Sequence, residues 1–300
     1  MSSQKVWLIT GANSGIGLAL AKYVLAQGDK ASLQSVVATV RNISKFPESL
    51  RNGGAQPIIV DLNASDDVVK KASQEALRVY GRVDVLVNNA GYGIHGPVEE
   101  LDLNDVRAQF QANVFGQLAF TQALLPAFRA QRAGHIFNFS SVVGFDGAGS
   151  WGAYCASKAA FELFSESLSR ELELFGIRVI IVEPGYFPSE FFKTTAAVAY
   201  KESRIYTDPS QGFGTIEAVP QSKLESNSIG DLEKLSARIY EVVYGTGLAK
   251  GLVEGKGGKR EWMRLPMGPD CGEWMLQKVN SVKENIEALK PIWSSTNTGA

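Results

Sequence analysis

Short apolar runs alternate with longer stretches in which apolar residues recur at helical spacing, and the alternation continues along most of the chain. Residues 5–10 (KVWLIT), 35–40 (SVVATV), 56–61 (QPIIVD), 83–88 (VDVLVN), 135–140 (HIFNFS) and 177–182 (IRVIIV) have the length and apolar content of strands buried on both faces. Between them, 18–27, 65–80, 104–132 and a stretch opening at Ala153, with Phe161, Leu168 and Leu172 on one face, carry the helical period. Asp231 opens a further helix over 231–244 as its N-cap, and 261–266 and 270–289 predict a last strand and helix before a frayed tail at 293–300. Strand and helix in alternation predict an α/β fold: one doubly wound parallel sheet of about seven strands, helices on both faces, in one domain spanning 1–300. The pattern lapses over 186–230, which is polar with scattered aromatics, Pro and Gly. A connection of that length is a lid or binding loop, or else partly disordered.

Composition narrows the partners. The 300 residues, 45% hydrophobic and 20% charged, are enough for a large core. A net charge of −1 supplies no basic footprint, so nucleic acid is not an expected partner. Cys155 and Cys271 are the only cysteines, which argues against a disulfide framework and for a reducing compartment. No apolar run approaches ~18 residues, so no membrane partner is expected. The amino terminus passes almost directly into a strand, leaving no room for a targeting peptide, and the cytoplasm is the expected location.

Candidate chemistry lies where strands end. Gly11, Gly15 and Gly17 join the first strand to the first helix, where tight backbone approach and a helix N-terminus suit a phosphate; an ordinary βα turn fits as well. Arg41 ends the second strand with no acidic residue between 30 and 47, which suits a ribose 2′-phosphate, the alternative being a solvated surface charge. Asp61, just past the third strand, could receive an adenine amine. Asn88 opens NNAGYG and serves either a cofactor or the strand end itself. Asn113 falls inside a predicted helix, where asparagine costs propensity. Ser141 follows the fifth strand at its carboxyl end. Tyr154 and Lys158, four apart, share a helix face. A neighbouring ammonium lowers a phenol's pKa from about 10 toward neutrality, which would make an acid/base; the pair alone also fits an ordinary surface helix. His135 reads as structural, while His95 lies in the loop after NNAG. No metal-ligand spacing occurs, and Ser141 in FSSVV lacks the G-x-S-x-G elbow of a serine hydrolase.

Taken together, TGANSGIG (10–17), NNAG (88–91), YCASK (154–158), Ser141 thirteen residues before Tyr154, Asn113 and EPGYFPS (183–189) resemble the short-chain dehydrogenase/reductase family over nearly the whole chain. RLPMGPD (264–270) and Arg41 are similar to its NADP-preferring, 17β-hydroxysteroid-dehydrogenase-like branch. Two departures stand out: KASLQS (30–35) lengthens the first helix-to-strand link, and Ser189 replaces a common Thr.

The resemblance implies a Rossmann-type fold with a cofactor half near 1–135, an active-site half near 136–290 and a substrate lid at 186–230. It implies NADP(H), with NAD second, held by Gly11, Asn13, Ser14, Gly15, Ile16, Gly17, Arg41, Asp61, Leu62, Asn88, Ala90, Gly91, Tyr154, Lys158, Pro184, Gly185, Phe187 and Ser189. It implies hydride transfer between a ketone or aldehyde and an alcohol. Tyr154 would be the general acid/base, Lys158 would lower its pKa and hold the nicotinamide ribose, Ser141 would polarise the carbonyl, and Asn113 would position a relay water. The substrate would be a small molecule, bulky and apolar like a steroid, polyketide or terpenoid, meeting His95, Val143, Tyr186 and Phe191. No metal is implied, and the assembly would be a homodimer or homotetramer built on the 104–132 and Tyr154 helices. A non-redox epimerase- or dehydratase-like enzyme and a non-catalytic NADP sensor are the competing readings.

Overall fold

The computed structural model describes residues 4–27, 34–191, 203, 205–207, 229–252 and 262–298. Seven strands form one sheet: β1 (Val6–Ile9), β2 (Ser35–Val40), β3 (Gln56–Ile59), β4 (Val85–Asn88), β5 (Gly134–Phe139), β6 (Ile177–Pro184) and β7 (Arg264–Met267). Their order is β3-β2-β1-β4-β5-β6-β7, and every pairing is parallel. Because the strand order reverses between β1 and β4, their carboxyl ends open a crevice there, the place where such sheets bind ligands.

Parallel strands need both faces covered, and β1 shows how the sequence meets that need. Trp7 and Ile9 point into one core with Leu20 and Val24 of α1 (Gly15–Ala26) and with Leu235, Ile239 and Val242 of a late helix, Leu232–Tyr244. Leu8 points into the other core, with Val69 and Ala72 of α3 (Asp66–Tyr80), which follows the short α2 (Glu48–Asn52), and with Phe120, Leu124 and Phe128. All of these apart from Ala72 and Val242 are almost wholly buried, and truncating a fully buried Phe to Ala costs about 3–5 kcal/mol.

The helix expected over 104–132 is two helices. α4 (Leu103–Phe110) and α5 (Gly116–Gln131) are joined by one π turn, Gln111–Phe115, which contains Asn113. π turns inside α-helices frequently mark functional sites. A short α6 (Val142–Phe145) fills part of the Gly-rich stretch before α7 (Gly152–Leu172). The late helix is α8, capped by Asp231, which accepts from the amides of Glu233 (2.8 Å) and Lys234 (3.0 Å). β7 starts three residues later than expected and leads into α9 (Pro269–Ala288). The tail expected to fray continues as α10 (Lys290–Trp293) and a 3-10 turn, Ser294–Thr296. Residues 28–33 of the lengthened link and most of the lid lie outside the described residues. Among the described residues no helix is long and apolar enough to cross a membrane.

Candidate active site

One continuous cavity of about 600 Å³ fills the crevice, from Arg41, Asp61 and Asn63 at one end to Trp151, Phe191 and Trp274 at the other. Thr10 fastens its floor: the hydroxyl donates to Val87 O (3.2 Å) and accepts from the amides of Asn89 (2.9 Å) and Ala90 (3.0 Å). That staple brings β1 and β4 so close that a Cβ on Gly11, whose φ is +66°, would meet Ala90 Cα at 2.9 Å. α1 begins at Gly15 with no side chain capping its first turn, and orphan amides at a helix N-terminus favour an anion. Asn13, Ser14, Gly15 and Ile16 line the cavity here, and Gly15 lies opposite Ser189, whose Cβ would be 3.2 Å from a Cβ added to the glycine. This cradle, open to a phosphate and closed to a side chain, fits a dinucleotide.

Most of the expected cofactor positions line this cavity: Arg41, Asp61, Leu62, Ala90, Gly91, Pro184, Gly185 and Phe187 join the glycine turn. Two do not. Gly17 lies beneath the turn, where a Cβ would meet Gly11 O at 2.5 Å, so its task is close packing. Asn88 is buried and turned away, donating to Thr121 Oγ1 and Asn138 Oδ1 (2.8 Å each), which is the strand-end role. Its neighbour Asn89 takes the cavity position and donates to Thr10 O (2.9 Å). Strand side chains alternate between faces, so only one of two adjacent asparagines could face the crevice.

The loop after β4 is held from the side by three amides four residues apart. Gln117 donates to Ala90 O, Asn113 donates to Tyr92 O (2.8 Å) and accepts from Tyr92 N (3.1 Å), and Gln109 accepts from Ile94 N (2.6 Å). Each step of four along the helix matches a step of two back along the loop. Asn113 does not line the cavity; its Nδ2 also donates to Ser157 Oγ (3.1 Å), which in turn donates to Tyr154 O (2.8 Å). The side chain therefore ties the loop to α7, a task that the sequence does not announce.

Ser141 caps α6, accepting from Val143 N (3.4 Å), and its hydroxyl lies near enough to the Tyr154 phenol to favour the ionised form. Lys158 is buried, donates to Phe139 O (2.7 Å) and lies 5.8 Å from the Tyr154 ring centre. In the cofactor-free site burial, and not a neighbouring charge, sets the Tyr154 pKa. Burial pushes the phenol well above its ordinary value and the Ser141 hydroxyl draws it part of the way back. Burial likewise pushes Lys158 down to about 8, against the opposing pull of Glu162. The tyrosine is thus held as the neutral acid.

Beyond Tyr154 the cavity is aromatic. Trp151 meets Tyr154 edge-on (5.9 Å between centroids) and stacks on Phe191 (6.1 Å), which lies 5.1 Å from Tyr154. Val143 and Tyr186 also line the cavity. His95 does not: it is buried behind Trp151, 5.0 Å edge-on, where burial lowers its pKa. Trp274 of α9, which sequence reasoning missed, closes the far wall, its indole N–H donating to Asp146 Oδ2 (3.0 Å) while Lys278 pairs with Asp146 (2.9 Å). Asp270 of the same helix accepts from Tyr186 N (2.9 Å), fixing the segment after β6.

Comparisons with known proteins agree with this architecture. Residues 5–198 match the model of the short chain dehydrogenase family. The chain is 32% identical to oxidoreductase BOA17 of Botryotinia fuckeliana over 90% of this chain and 91% of that one. It is 38% identical to mouse 17-beta-hydroxysteroid dehydrogenase type 1 over 63% of this chain and 56% of the relative. A short-chain dehydrogenase structure from Streptomyces avermitilis superposes with a TM-score of 0.77 at 30% identity, covering 99% and 100% of the two chains. A metagenomic short-chain oxidoreductase in complex with NADP superposes with a TM-score of 0.56 at 32% identity over 61% and 83%.

Proposed function

This chain belongs to the short-chain dehydrogenase family of oxidoreductases, and from that premise we propose that it interconverts a bulky, largely apolar ketone or aldehyde and the corresponding alcohol with NADP(H). The observation that carries the reading is the placing of Tyr154. Its phenol touches Ser141, stands beside Lys158, and lies between a glycine cradle on one side and Trp151, Phe191 and Trp274 on the other, all in one cavity.

Gly11, Asn13, Ser14, Gly15 and Ile16 would hold the pyrophosphate, Arg41 the 2′-phosphate, and Lys158 the nicotinamide ribose. The nicotinamide would supply the hydride. Ser141 donates to the substrate oxygen and orients it, and Tyr154, held protonated by burial, delivers the proton as charge develops there. The resulting phenolate is stabilised by the Ser141 hydroxyl and by the Lys158 ammonium. Asn113 keeps Tyr92 and α7 in place around these groups. The aromatic walls favour a broad apolar substrate, with Tyr186 and Phe191 on its path.

The test is NADPH oxidation across ketones, aldehydes and quinones, with NADH and Tyr154→Phe alongside. We expect turnover with one carbonyl class, lowered at least ~100-fold in the variant while NADPH still binds. Tight NADPH binding without turnover on any carbonyl would transfer the assignment to a non-redox enzyme or a sensor. Leu103 at the start of α4, Phe115 in the π turn, and Leu163 and Phe164 on α7 are large exposed apolar side chains, and we assign to them a homo-oligomeric contact that light scattering would reveal.

A further inference from the structure

Behind the catalytic wall, one cation faces three anions. Arg264 on β7 pairs with Glu162 and Glu166 of α7 (2.7 Å each) and with Glu183 of β6. Glu183 is wholly buried, and burial with the neighbouring Glu162 pushes its carboxyl up to about 7. A guanidinium shared three ways cannot neutralise every partner, so negative charge is left over on the protein side of the site.

Glu162 carries that charge toward the chemistry. It follows Lys158 by one helical turn, on the same face of α7. Its Oε1 accepts from Ser140 Oγ (2.5 Å), the residue next to Ser141, while Oε2 pairs with Arg264 (2.7 Å). Ser140, Glu162 and the stem of Lys158 converge beneath α6 so tightly that a Cβ on Gly144 would lie 2.5, 2.6 and 2.9 Å from them. Lys158 has Tyr154 on its own helix and the Asn113 amide across from it, and neither is an anion; Glu162 is the acidic group that acts on it. Among the described residues, the cluster also has Arg170, which pairs with Glu166 (3.8 Å), and Asp270 beside the Cys271 thiol on α9.

Building on the function proposed above, we propose that Glu162 is a positioning residue that keeps Lys158 charged, Glu183 sharing Arg264 with it so that the guanidinium is not Glu162's alone. An ammonium buried against a backbone carbonyl has little else to offset its desolvation. Glu162 supplies the offset without entering the cavity or touching the substrate.

The experiment follows Lys158 directly in the cofactor-free protein, by side-chain ¹³C–¹⁵N NMR across pH, with its signal assigned by loss in Lys158→Arg. In Glu162→Gln, which keeps an oxygen for Ser140, the Lys158 midpoint is expected to fall by ~1 pH unit, and in Glu183→Gln to fall by less. The high-pH limb of NADPH-dependent turnover is expected to move with it, while rates near pH 6 stay close to wild type. A Lys158 midpoint unmoved in both variants overturns the proposal; should Glu162→Gln not fold, the Glu183→Gln arm decides alone. Failure of the proposed function would show separately, as wild-type protein without carbonyl turnover whose Lys158 still titrates.

Discussion

Asn113 and Tyr92 exchange two hydrogen bonds, the Asn113 amide donating to Tyr92 O (2.8 Å) and accepting from Tyr92 N (3.1 Å). A side-chain amide here imitates a neighbouring strand and holds a loop that has no strand beside it. Asn113→Ala leaves both backbone groups and Ser157 without this partner, which costs on the order of 1–3 kcal/mol. Urea denaturation should show that loss, and NADPH titration should show weaker binding, because Gly91 and Tyr92 lose their support.

Arg41 is exposed at the end of β2 and lines the cavity. If it meets a 2′-phosphate, Arg41→Ala removes a charge-assisted contact of about 1.5–3 kcal/mol. The KM for NADPH should then rise ~10-fold or more, at 1.4 kcal/mol per decade, with that for NADH nearly unchanged. Equal effects on both cofactors would remove Arg41 from the selectivity argument.

Trp274 stands on α9, fixed by Asp146, on the wall facing Tyr154's end of the cavity. Trp274→Ala should raise KM for a bulky carbonyl by at least ~10-fold while leaving NADPH affinity and the rate with a small aldehyde close to wild type. Steady-state kinetics on two substrates of different size separates this from general damage.

Glu183 gives the fold a pH signature. Its carboxyl is held up to about 7, against roughly 4.3 in an unfolded chain. A raised acid stabilises the native state fully below the unfolded value and loses that contribution as pH climbs through the folded one. Wild-type unfolding free energy should therefore fall between pH 5 and pH 8 relative to Glu183→Gln, by about 1.4 kcal/mol for each tenfold change in proton affinity, and Tm should fall with it. Parallel curves for the two proteins would place the proton elsewhere.

The sheet was legible because a parallel sheet buries both faces of its strands, leaving runs such as VWLI and IRVIIV with almost no polar break. The glycine turn and the Tyr154–Lys158 pair were legible because both are local spacings. The π turn was not: one extra residue per turn at Gln111–Phe115 leaves the apolar pattern of 104–132 looking continuous. Strand alternation says that Asn88 and Asn89 face opposite ways, but which of them meets the crevice follows only from the neighbours that Asn88 finds in Thr121 and Asn138. Trp274, Arg264 and Glu162 come together only through the order of strands, and no window of sequence contains them.

The last segment of the chain therefore guards the whole site. Ser141, Tyr154 and Lys158 all precede residue 190, yet Arg264, Asp270 and Trp274 arrive with β7 and α9. A single proteolytic cut ahead of Trp262 would spare every proton-transfer group. It would also strip the cavity of its far wall, free Tyr186 from Asp270, and leave Glu162 and Glu183 facing each other without Arg264. Turnover is thus expected to require β7 and α9, and a preparation lacking them to keep Ser141, Tyr154 and Lys158 while losing it.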